Sequence, residues 1–426
     1  MIIVPVPKWH GSLNLKDNKM RNKIMNYLIF CMVFIRKIIK IPSEDITKIC
    51  GIMDMIEVFI MSKNKNKNTK LLFKILLGIV IVLFLLILVV FTIHKIKSNN
   101  EYNELKDLGY INKYSAGDYD LNIHRIGNKN SKHKLIGISG LGVHNYSIEM
   151  SFVNEQLKDD YELIYIDRAG YGYSDDTSKT QTVEQIVSDY RTALKSAGIE
   201  GPYILMPHSI GGVYATYWES IYPDEIEGVI FIDGTPLGMN IYEKSDYSVS
   251  FSDYFDVFLC KLGFQRFSIR FVSDPLPSEY TKEQQKLTDY LNIKSSMNKA
   301  PLSKIKEKNN NANKAYQRIK SNDIPKIYIE SSRGARTIEE VKEDLKWVTK
   351  RKQELGLETI STMPSDNKLT QLIEQNMKLE KEQIIPYTDL LGNTEIKLLS
   401  GDHYIFEQKP DELARIIKDY INDLDK

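Results

Sequence analysis

Cysteine is scarce, and that excludes the first class of small stapled folds. The three present, Cys31, Cys50 and Cys260, are spaced neither as a disulfide framework nor as a metal-binding cluster. An excess of charge of one sign is also missing. Lys and Arg number 57 against 56 Asp and Glu, so the broad basic surface that holds nucleic acid is not expected. A dinucleotide loop is missing too. Glycines cluster in Asp167-Arg168-Ala169-Gly170-Tyr171-Gly172-Tyr173-Ser174, but not at the G-x-G-x-x-G spacing that phosphate binding needs.

One stretch lacks charge altogether, from Ile75 to Phe91. Within residues 71–93 only Lys74 and Thr92 are polar. About 20 residues at roughly 1.5 Å each cross a bilayer core, so 71–93 is expected to be a transmembrane helix. Residues 61–70 carry Lys63, Lys65, Lys67 and Lys70, against Lys95 and Lys97 beyond the span. That bias predicts a cytoplasmic N-terminus and an extracytoplasmic domain at the cell membrane. No small-x-small cleavage site closes the run, which favours an uncleaved signal anchor. A second apolar run, Ile24 to Ile35, is too short to span. Met61 opens a segment that reads as a membrane-anchor start by itself, so 1–60 is expected to be an extension upstream of the true start, with an interfacial amphipathic segment as the alternative and no assigned function. Residues 94–114 are expected to form a polar linker with at most a short helix.

From about 115 to 426 the pattern alternates strand and helix. Strands are expected within 117–127, at Lys134–Ser139, through Ile166, at Tyr203–Met206, at Gly228–Ile232, at Pro325–Glu330 and at Glu395–Leu399. Thr182-Val183-Glu184-Gln185 reads as a capping box opening a helix. Leu413, Ile416, Ile417, Tyr420 and Ile421 fall on one side of a closing helix. The alternation breaks over 237–323, which is expected to be a helical lid. Its aromatics Tyr254, Phe255, Phe258, Phe264 and Phe267 suggest an apolar acyl or leaving-group pocket. The later SKIKEKNNNANKAY reads as solvent-facing.

The chemistry centres on YILMPHSIGG, residues 203–212. An apolar strand, a tight turn with one serine and a helix follow in that order, which is the context a nucleophile elbow requires. Gly211 lets helix and strand approach closely. Ser209 needs a base, and seven histidines are available. His10 and His94 lie outside the domain. His124 and His133 sit by early strands, and His208 is expected to point away from its neighbour Ser209. His144 is a rival to His403, which lies at the C-terminal end of the last strand, where α/β sites gather. For the acid that orients the base, Asp233 at a strand end ranks first and Glu330 second. Asp389 is distant and Asp402 adjoins the base. The N–H groups of Leu141 and Ile210 are placed to hold an oxyanion.

Ser139-Gly140-Leu141-Gly142, the 167–174 loop, Pro207-His208-Ser209-Ile210-Gly211-Gly212 and Gly401-Asp402-His403-Tyr404-Ile405-Phe406 occur in an order that resembles the alpha/beta-hydrolase-fold family, in its lid-bearing serine hydrolase branch. The resemblance implies an eight-stranded, mostly parallel sheet in the order 1-2-4-3-5-6-7-8, helices on both faces, an inserted helical lid and no cofactor. It places Ser209 as nucleophile, His403 as base, Leu141 and Ile210 at the oxyanion, and Asp233 as an acid after strand six. Three departures stand out: Ser139 where histidine is frequent, Pro207 in place of the first elbow glycine, and no acid after strand seven. The function expected is cleavage of a carboxylic ester or related acyl bond in a small-molecule or lipid-like substrate. A non-catalytic binding protein, a membrane-anchored acyltransferase and an aminopeptidase are the alternatives. The sequence leaves the oligomeric state open.

Overall fold

The computed structural model describes residues 67–238, 249–267, 276–357, 359 and 362–426. The expectations for 1–60, and for all but the end of the basic flank, lie outside the described residues. The chain divides into two compact units, Met1–Leu86 and Ile87–Lys426.

Helix α1 (Lys67–Asp107) is long and apolar enough to cross a membrane. It does not give way to a linker after residue 93. The helix continues to Asp107, because Leu105 buries fully and Glu101 nearly so against the domain. These contacts reward helix where the polar composition of 98–107 alone would not.

The second unit is built on one eight-stranded sheet: β1 (Lys113–Ser115), β2 (Asp120–Gly127), β3 (Lys134–Ile138), β4 (Glu162–Ile166), β5 (Tyr203–Pro207), β6 (Ile226–Ile232), β7 (Lys326–Glu330) and β8 (Thr394–Leu398). The order is β1-β2-β4-β3-β5-β6-β7-β8, as expected. β2 pairs antiparallel with both β1 and β4, and every other pairing is parallel. The central strands are apolar on both sides, as a sheet covered on both faces requires. In β5, Tyr203 and Leu205 enter one core while Ile204 and Met206 enter the other; Phe231 and Ile232 divide the same way in β6.

Helices α2 (Val183–Ser196) and α3 (Gly211–Ile221) cover the first face. Thr182 caps α2 by accepting from the Gln185 N–H at 3.3 Å. The reciprocal half of the expected box is not made, since the Gln185 amide turns to Asp189.

Between β6 and β7 lie α4 (Phe251–Leu262), α5 (Lys282–Ser295) and α6 (Lys299–Arg318). One expectation here is corrected. The segment read as solvent-facing lies in α6, where Lys304, Asn311, Ala312 and Ala315 are buried. The polar pair is satisfied by backbone. Lys304 donates to the Ala169 carbonyl at 2.5 Å, and Asn311 bonds the Val183 N–H and the Gln181 carbonyl. Of the aromatics expected to shape a pocket, Tyr254, Phe255 and Phe267 are exposed among the described residues.

After β7 come α7 (Ile338–Glu354) and α8 (Asp366–Leu379), then β8. The last helix, α9 (Pro410–Leu424), covers the second face, burying Leu413, Ile416, Ile417, Tyr420 and Ile421.

Candidate active site

β5 ends at Pro207 and α3 starts at Gly211, so three residues must reverse the chain. Ser209 takes φ 53°, a left-handed conformation that costs a non-glycine residue roughly 1–2 kcal/mol. Its own backbone holds it there. The Ser209 N–H donates to the Ile232 carbonyl at 3.3 Å, and its carbonyl accepts from Gly212 at 2.9 Å and Thr235 at 3.0 Å. Gly211 is required by contact rather than by conformation. A Cβ there would stand 2.4 Å from the Ile138 carbonyl oxygen. Gly212 meets only ordinary contacts. Pro207 remains in the strand, in register with Ile138, so the missing elbow glycine leaves no strain at that position.

Among the described residues, the second non-glycine residue with positive φ is Asp233, at 43°. Strain of this kind concentrates at functional sites. The turn at the end of β6 aims its carboxylate at the loop after β8. His403 Nδ1 donates to Asp233 Oδ2 at 2.5 Å. The other carboxylate oxygen accepts from the Ser331 and Ser332 N–H groups at 2.9 and 3.0 Å. Burial pushes the Asp233 carboxyl up, but the His403 bond and charge, with the two N–H groups, outweigh it and hold the pKa below the ordinary aspartate range. Burial likewise pulls His403 down, and Asp233 more than offsets this, leaving His403 raised. A carboxylate only accepts, so the proton sits on Nδ1 and Nε2 carries the free lone pair. No hydrogen bond joins Ser209 Oγ to Nε2 in this structure.

Glu330 does not meet His403. Its Oε1 accepts from the N–H and Nε of Arg333 at 3.0 and 2.9 Å. Burial, then the Asp233 charge, raises its carboxyl to about 7.

His208 does more than point away. Its buried Nε2 donates to the His403 carbonyl at 2.9 Å, and the two rings lie 4.5 Å apart. Burial lowers its pKa to about 3, so the ring is neutral. Adjacency to Ser209 hid this role in the sequence, since a partner 195 residues away leaves no local signal. The rival His144 is buried against Tyr171, and burial with the Arg168 charge lowers it to about 3. His133 faces Glu227 and Asp425, while the half-buried His124 ring lies 4.5 Å from that of Tyr110.

The 139–142 loop lies beside the elbow. A Cβ on Gly140 would stand 3.3 Å from that of Ser209. Arg168, fully buried, donates to the Ser139 and Gly140 carbonyls. Asp167 secures its own loop, accepting from the Tyr173 N–H and the Asn122 amide at 3.0 Å each. The N–H groups of Leu141 and Ile210 find no partner among the described residues. Among those residues no cluster of His, Cys, Asp and Glu is set to hold a metal ion.

A strained serine between a parallel strand and a helix, with a histidine after β8 bonded to a carboxylate after β6, defines an α/β protein of the hydrolase type. Residues 137–410 match the alpha/beta hydrolase fold family, and the chain belongs to that family. Two proteins of Bacillus subtilis (strain 168), both uncharacterized, are similar. YbdG is 30% identical over 213 residues, covering 49% of this chain and 64% of its own length. YqjL is 30% identical over 77 residues, covering 18% and 30%. The chain thus spans less than two thirds of the curated relatives it matches. Among solved structures, a haloalkane dehalogenase DbeA from Bradyrhizobium elkani USDA94 aligns at TM-score 0.44 and 12% identity over 74% of this chain and 98% of its own. A membrane phospholipase A aligns at 0.45 and 14% over 83% and 99%.

Proposed function

We propose that this protein is a serine hydrolase that cleaves a carboxylic ester or related acyl bond through an acyl-enzyme. The observation that carries the reading is the Asp233–His403 hydrogen bond of 2.5 Å, which leaves Nε2 as the base, beside a serine held at φ 53°. Ser209 Oγ attacks the carbonyl carbon as Nε2 takes its proton. The Leu141 and Ile210 N–H groups hold the oxyanion. The tetrahedral intermediate collapses, and the leaving alkoxide takes the proton from His403. Water then gives a proton to Nε2 and attacks the acyl carbon, and Ser209 leaves with that proton as the acid is released. Residues 237–323 act as the lid, and 71–93 anchor the chain in the cell membrane with the hydrolase domain outside. A serine in the elbow disfavours dehalogenase and epoxide-hydrolase chemistry, which calls for a carboxylate nucleophile.

The test is a fluorophosphonate probe applied to the full chain in detergent, with Ser209→Ala beside it. Labelling of the parent alone, at Ser209 by peptide mass, is expected. A folded parent that stays unlabelled while the probe labels a control serine esterase would overturn the reading.

A further inference from the structure

We infer that the aromatic face of α4, with Phe267, is a membrane-contact surface that rests in the interfacial layer of the bilayer; the inference depends on the reading of 71–93 as a span. At roughly 100° per residue, Phe251, Tyr254, Phe255, Phe258 and Leu262 fall within an arc of about 100°. Asp256, Val257 and Cys260 occupy the opposite side and are buried in the domain. The apolar arc therefore points outward. Phe251 is 54% exposed, Tyr254 44%, Phe255 48% and Phe267, just beyond, 65%. A soluble surface scatters large apolar side chains singly. Here they share one helical face, as on a helix that lies in a membrane interface.

The course of the chain identifies what covers this face. α4 ends at Gly263, where φ is 97° and an added Cβ would stand 2.3 Å from the Cβ of His94. Ile93 is the last residue of the expected span, so the end of α4 touches α1 one residue past the bilayer. The contact is secured next door. Arg266 donates to both carboxylate oxygens of Glu101 at 2.6 Å, to Ser98 Oγ at 2.9 Å and to His94 Nδ1 at 2.9 Å. Glu101 stands about 12 Å along the helix from Ile93. The side chains of Arg266 and Glu101 are almost wholly buried, so the part of α1 from His94 to Glu101 is tied to this part of the insertion. Lys286 and Tyr290 of α5 extend the seam to Glu104. An aromatic face that begins at the level where its own anchor leaves the membrane has that membrane's interface within reach. Tyr favours that layer, and Phe and Leu enter it on the apolar face of interfacial helices.

The test uses the full chain in phosphatidylcholine vesicles, with and without dibrominated acyl chains that quench tryptophan by contact. Two variants are compared with the parent, whose native tryptophans set the baseline: Phe255→Trp on the exposed face, and Phe84→Trp in the span. The inference expects added, blue-shifted and quenchable emission from both. If Phe84→Trp is quenched and Phe255→Trp adds only red-edge or unquenched emission, the inference falls while the span reading stands. Blue-shifted but unquenched emission from Phe255→Trp means that protein covers the face, a second copy included, and also overturns it. If Phe84→Trp escapes quenching, the span reading fails and the inference with it. Serine hydrolase activity is not read in any arm, so the proposed function is neither supported nor weakened by the result.

Discussion

Arg168 donates to the Gly140 carbonyl at 2.6 Å, and through that bond it orients the neighbouring Leu141 N–H. In a trans peptide the carbonyl and the following N–H point in opposite directions. Holding one oxygen toward Arg168 therefore turns the Leu141 N–H away from it, on the loop that passes beside Ser209. Arg168→Met is expected to lower kcat/KM for a reactive ester by about 10²-fold, the effect of losing one oxyanion donor, with the loss mainly in kcat. Steady-state kinetics on the purified full chain checks this. A change confined to KM would count against it.

Asp233 and Glu330 are separated by the same assay. Asp233→Asn presents an amide N–H to His403 Nδ1, which forces the proton onto Nε2 and removes the base. A loss of roughly 10⁴-fold in kcat is expected. Glu330→Gln should stay within several-fold of the parent, since Glu330 bonds Arg333 rather than His403.

The pH profile follows from the direction of the His403 shift. The base acts neutral, and its pKa is raised by Asp233. Activity should therefore fall as pH drops through a value above about 6.5, the ordinary histidine pKa. The acid limb of kcat/KM against pH reads this directly, and a limb below that value would contradict the Asp233–His403 pairing.

Glu330 also makes a stability prediction. Its folded pKa of about 7 lies above that of an unfolded glutamate near 4.3. The folded state then binds the extra proton between those values, so stability declines as pH rises through that window. Glu330→Gln carries no such dependence. The Tm difference, variant minus parent, should grow more positive from pH 4.5 to pH 8 in thermal melts; a flat difference would show that the carboxyl is ionised throughout.

Much of this molecule can be read in its residues because the central strands are apolar and end in glycine, serine or aspartate. β5 followed by Ser209 and Gly211 is such a case; β8 is a polar edge strand, and there the Ser400-Gly401-Asp402 run before His403 carries the signal. The acid was harder to assign. Which strand end faces His403 depends on sheet order, and order is a property of long-range pairing that no local window contains. Asp233 and Glu330 both end buried strands, and only the turn after β6, with its positive φ, aims one of them at the histidine. The polar face of α6 misled for a different reason. Lys304 and Asn311 are buried to serve carbonyls and an N–H near residues 169–183, and hydropathy cannot distinguish such a side chain from a solvated one. The helix from 94 to 107 was hidden likewise, since its worth lies in partners on a distant segment.

The contact between Gly211 and the Ile138 carbonyl has a consequence for how such a protein can change. The nearest limit on the helix's approach is the Ile138 carbonyl, a main-chain atom, so the height of the serine above the sheet is set largely by backbone. The position of the reacting atom is thereby insulated from drift in the surrounding residues. On the proposed reading, the segment between β6 and β7 could be lengthened, recomposed or exchanged to suit another acyl group while the serine keeps its place. Chemistry and selectivity would then be inherited as separate traits, one written in backbone and the other in side chains.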